Sequence, residues 1–90
     1  MSDIYADPET LRRSSRTVRE SVRAIKRVSD GIDRTIKGSS GWSDSQGEEF
    51  RNVLSRVKRL VDSPLETLEA APPKIDRLAD ALDEYQRIRF

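Results

Sequence analysis

The side chains that could do chemistry are few in kind. Seventeen Lys and Arg stand against 16 Asp and Glu, with no Cys and no His. Thiol nucleophiles, disulfide frameworks, zinc-finger sites and the usual general base at neutral pH are therefore removed. Carboxylates can serve as a general acid and base only where an apolar setting drives their pKa values apart, and no pair here is marked off in that way. The bases between Leu11 and Arg27 could neutralise phosphates. Against this, the net charge is only +1 and the aromatics are not interleaved with the bases. The single Trp, Trp42, and the apolar positions around it leave the chemistry of burial, which predicts a protein that binds proteins and is not an enzyme. No cofactor, metal or small-molecule substrate is expected.

The elements that must carry those positions are helical. Of 90 residues, 34% are hydrophobic and 37% charged, and about 31 apolar side chains support one domain, residues 1–90. That is too few for layers packed on a sheet but enough for a helical pair completed by a second chain. Leu11, Val18, Val22, Ile25, Ile32 and Ile36 belong to one series with steps of four and three, its gaps filled by Ser15 and Ser29. Asp7 before Pro8 is a start signal, so helix 1 is expected over about 8–36. The Gly- and Ser-rich run 37–43 is the loop. Ser43 with Gln46 forms a capping-box pattern that opens helix 2, expected over about 44–88. Its series is Phe50, Leu54, Val57, Val61, Pro64, Leu68, Ala71, Ile75, Leu78, Leu82 and Tyr85. Interior prolines cost about 3 kcal/mol each, so an interruption is expected near 70–74, at Pro72-Pro73, and a milder bend near Pro64.

Helix 1 would be roughly 43 Å long and helix 2 roughly 67 Å. Reversal at residue 40 then sets Leu11 opposite Leu68 and Glu69. Ile75, Leu78, Leu82 and Tyr85 are left to need another chain or a fold-back. From Leu11 to Arg27 there are seven bases and one acid, whereas from Asp62 to Gln86 there are seven acids and two bases. Reversal brings these stretches together, which sets register and orientation more than stability. The expected fold is all-α: an antiparallel helix-turn-helix hairpin with a proline-interrupted second helix, dimerising into a four-helix bundle. The two apolar series are its core or dimer seam.

Around the loop the sequence reads Gly41-Trp42-Ser43-Asp44-Ser45-Gln46-Gly47-Glu48-Glu49-Phe50. Here the chain resembles the WXG family, the helical hairpins similar to early secreted antigenic target proteins and associated with type VII (ESX or Yuk) secretion. In that family a Trp-x-Gly turn joins two helices, and an aromatic residue commonly follows eight positions after the Trp, as Phe50 follows Trp42. The turn motif here is Trp42, Ser43 and Asp44, with Asp44 where the family usually has Gly. The family's export signal, a Tyr followed four residues later by an acid, is not met, since Arg89 follows Tyr85.

The resemblance implies a type VII secretion substrate, targeting factor or effector chaperone. Its partners would be a homodimer copy or a related hairpin, and beyond these a larger secreted effector or a secretion ATPase. The first residues lack the form of a signal peptide and no stretch is apolar enough for a membrane span, so residence in the cytoplasm before a type VII-like export is expected. A helical adaptor or coiled-coil module without a secretion role is the alternative. A nucleic-acid-binding hairpin ranks below both, and a membrane-surface role is disfavoured by the serines in the helix-1 stripe. Trp42 has two readings: a ring that caps the open end of a helix pair, or a surface read by a secretion component.

Overall fold

The computed structural model describes residues 7–88, the side chain of Ile88 excepted. The amino-terminal stretch and Arg89 read above lie outside the described residues. Three helices follow in order: α1 (Pro8–Gly38), α2 (Ser45–Asp62) and α3 (Leu65–Ile88), and no strand occurs among the described residues. Asp7 starts α1 as its sequence predicts, accepting the Thr10 backbone N–H on Oδ1 at 2.6 Å. At the other end the Ser39 N–H still donates to Thr35 O at 3.0 Å, so α1 runs two residues past 36 and the loop is 39–44. The cap of α2 is Asp44, not Ser43. Asp44 Oδ1 accepts the Gly47 N–H at 2.9 Å, and this bond holds its carboxyl below the ordinary value.

The expected interruption near 70–74 is not there. Pro72 and Pro73 lie inside α3, and the second helical stretch is instead bent at 63–64, where only a milder bend was expected. Ser63 keeps helical dihedrals (φ −53°, ψ −44°), and its N–H donates to Arg59 O. Pro64 then removes the next donor, and by standing just before Leu65 it occupies a place where a missing amide costs α3 nothing.

The chain divides into two compact units: Met1–Ser21 with Thr67–Phe90, and Val22–Glu66. In the first, Arg12 Nη2 bonds Asp80 Oδ1 at 3.0 Å and Asp83 Oδ2 at 2.6 Å, while Arg19 Nη2 bonds Asp76 Oδ2 at 2.8 Å. Numbers rise along α1 as they fall along α3, so these segments run in opposite directions. The expectation that Leu11 faces the neighbourhood of Leu68 and Glu69, with little cover from the chain itself beyond Pro73, is corrected by these pairs. Ile75 and Leu82 are half-buried and Ala79 is fully buried inside this unit, although Leu78 and Tyr85 stay exposed. Ser15 and Pro72, both fully buried, explain why the diproline does not break the helix. A small side chain on α1 makes room for the proline ring, and the Ser15 hydroxyl leans on Pro72 O at 3.4 Å. Arg19 ties the place together by donating also to Ser15 Oγ at 2.9 Å.

In the second unit, Lys58 Nζ meets Asp62 Oδ2 at 2.7 Å within α2 and Asp33 Oδ2 of α1 at 3.7 Å; with Arg51 against Ser39 and Lys58 against Asp33, α1 and α2 also run in opposite directions. Arg51 reaches past the end of α1 to donate to Ser39 O and Trp42 O, at 2.6 and 2.8 Å. The turn is therefore asymmetric, with Arg51 beside Ser39, and pairing falls later in the chain than a reversal centred on residue 40 gives.

These ion pairs carry a pH prediction. The Arg19 guanidinium, then the Ser15 hydroxyl, hold the Asp76 carboxyl below its ordinary 3.8. A carboxylate with a depressed folded pKa stabilises above its unfolded pKa, and that contribution is lost as pH falls through the folded value. The thermal midpoint should stay level down to about pH 5 and fall from about pH 4 downwards. Asp76→Asn should make that fall shallower in thermal melts followed by circular dichroism; an unchanged acid limb would refute the assignment.

Candidate interaction face

Two apolar ridges run along α2. The helix has adjacent apolar pairs, Val53-Leu54 and Leu60-Val61, and the pairs split between two sides because successive residues differ by about 100° around the axis. Leu54 and Val61 turn inward and are half-buried beside Lys58 and Asp62. Phe50, Val53, Val57 and Leu60, at steps of three, four and three, turn outward and are exposed, Leu60 to 76%. The inner side carries charge as well. Asp62 bonds Lys58, whose ammonium lowers the Asp62 carboxyl pKa, while the buried Ser29 hydroxyl adds to this from outside good bonding geometry. Asp62 Oδ1 is left buried without a hydrogen-bond partner. The apolar surface of α2 thus continues from its packed side onto its exposed side, wider than the single inward stripe of an ordinary surface helix.

α1 extends the outer surface. Ala24 and the half-exposed Val28 join Ile25, Val61 and Pro64 around an open groove of about 290 Å³ whose lining side chains are all apolar. At the turn, the Trp42 and Phe50 rings lie tilted at 39° with centroids 5.6 Å apart. Gly47 is buried beneath Trp42, and a Cβ there would fall 2.7 Å from Trp42 Cγ. One side of the indole is thus fixed against the first turn of α2, while 43% of the residue remains exposed.

Comparison of the chain with protein-family models, curated proteins and solved structures gives no match.

The expected seam residues divide by burial. Val22 is buried, and Leu11, Val18, Ile25, Ile32, Ile36, Leu54, Val61, Leu68, Ile75 and Leu82 are half-buried; Phe50, Val57, Leu78 and Tyr85 are exposed. Sequence reasoning missed Val53 and Leu60 of the outer ridge, Val28 on α1, and Gly47. The doubled apolar pairs at 53-54 and 60-61 were the available signal for the first two. Among the described residues no three His, Cys, Asp or Glu converge to hold a metal ion, and no helix is long and apolar enough to cross a membrane.

Proposed function

We propose that this chain is a small non-enzymatic interaction protein, a helical hairpin that buries the outer face of α1 and α2 against the helices of a second chain, giving a four-helix bundle. The observation that carries the reading is the ridge Phe50, Val53, Val57 and Leu60, which has the spacing of a helix–helix seam and is left 36–76% exposed. The Trp42 turn and Phe50 eight residues later support a role like that of the WXG hairpins: type VII secretion substrate, targeting factor or effector chaperone, held in the cytoplasm before export. Arg89 four residues after Tyr85, where an acid would stand, favours instead a helical adaptor with no export of its own, acting through the same face.

The test is the mass in solution by light scattering, for the chain alone and co-expressed with the product of a neighbouring gene of similar length. The expected result is a two-chain species that Val57→Asp and Leu60→Asp each dissociate with helical content retained, because a charge is costly to bury unpaired. A complex that survives both substitutions, or a chain monomeric in both settings, overturns the reading.

A further inference from the structure

The outer face in Val22–Glu66 carries a mainly basic rim. Arg27 stands one turn from both Ala24 and Gly31, and Arg23 and Arg34 lie one and two turns along the same edge of α1. The Arg34 guanidinium folds toward the face, with Nη2 3.9 Å from the point where a Cβ on Gly31 would stand. On the opposite edge, Arg56 lies one turn from both Val53 and Leu60. Each of these four Arg side chains is exposed, and none makes an ion pair among the described residues. Most acids of this unit are placed elsewhere. Asp33 and Asp62 meet Lys58, Asp44 caps α2, Glu48 falls on the far side of its helix, and Glu66 lies past the bend. Asp30, one turn from both Arg27 and Arg34, and Glu49 join the rim, which the four arginines leave basic.

We infer that the face takes a partner other than a second copy of itself: an amphipathic helix whose apolar stripe is flanked by Asp and Glu. This rests on the reading above that the face is an interface. The groove between Val28 and Val61 accepts apolar side chains of the incoming helix, while the rim pairs with its acidic flanks. Two copies docked through this face would set Arg23, Arg27, Arg34 and Arg56 against the same set, a like-charge contact that opposes association. An acid-flanked helix meets the same rim with the opposite sign and gains orientation as well as encounter rate.

The test uses two labelled synthetic helices of about three heptads, both with Leu at the seam positions, one flanked by Glu and the other by Lys. Binding to the full chain is read by fluorescence anisotropy. The Glu-flanked helix should bind at least about tenfold more tightly, and this preference should shrink as salt rises from about 0.05 to 0.5 M. Arg27→Glu combined with Arg56→Glu should reverse the preference with helical content unchanged, and Leu60→Asp should weaken both helices alike. Equal binding of the two helices, still lost in Leu60→Asp, would overturn the charge inference and leave the interface reading standing. Binding of neither helix by a chain that is also monomeric would overturn both. Self-association that excludes the Glu-flanked helix and is lost in Leu60→Asp would make the occupant a second copy and overturn the inference.

Discussion

Gly47→Ala should destabilise the protein by about 1–3 kcal/mol, the opposite of what helix propensity predicts. In an ordinary helix interior, Ala in place of Gly gains about 1 kcal/mol, because the backbone loses less freedom on folding. Gly47 does not have a positive φ, so backbone conformation is not what requires it. Space is. A Cβ at Gly47 would overlap Trp42 O and stand 2.7 and 2.9 Å from the indole Cγ and Cδ2. Trp42 cannot yield cheaply. Its carbonyl accepts from Arg51, its N–H donates to Ser39 O, and its ring lies against Phe50. Moving it disturbs the turn and the first turn of α2 together. Urea unfolding gives the free energy, and as the only Trp, Trp42 supplies a fluorescence readout of its own environment. Trp42→Ala in the Gly47→Ala background should recover part of the loss, since the ring is gone but the carbonyl stays. A Gly47→Ala protein at least as stable as the parent would refute this account.

The same turn shows what the sequence could convey and what it could not. Asp7 was readable as a cap because Pro8 marks the first helical position and leaves one geometry open. Ser43 and Asp44 are both good caps, and the choice of Asp44 follows from where the chain must turn to lay Trp42 over Gly47, a tertiary fact. The opposite charges of helix 1 and of the carboxy-terminal stretch were legible, and Arg12 and Arg19 do meet Asp76, Asp80 and Asp83. Their register was not, because it depends on an asymmetric turn that no local pattern encodes. The outer ridge of α2 hid for a different reason: 50-53-57-60 and 50-54-57-61 both satisfy helical spacing, and only packing against α1 decides which is inside.

The diproline is the plainest case of packing overriding a local rule, and it leads to a second large effect. Ser15→Leu should cost about 1–3 kcal/mol, a fall in thermal midpoint of about 4–24 °C for a chain of this size. Ser15 is fully buried against Pro72, which is itself fully buried, so there is no free volume for two further heavy atoms. Accommodating them means pushing α3 away from α1, which also strains the Arg19 contacts to Ser15 Oγ and Asp76. Once Pro72 loses its cover, the missing amides of Pro72 and Pro73 are no longer offset, and α3 should fray or kink where the sequence alone placed its interruption. Ser15→Ala separates packing from bonding. It keeps the space but removes the long 3.4 Å bond to Pro72 O and an acceptor for Arg19, so it should cost about 1 kcal/mol or less. Hydrogen exchange at Ala70, Ala71 and Lys74 should rise in Ser15→Leu and change little in Ser15→Ala. Equal effects of the two substitutions on the midpoint and on exchange would mean that the hydroxyl, rather than the small volume of the side chain, lets the helix pass through its two prolines.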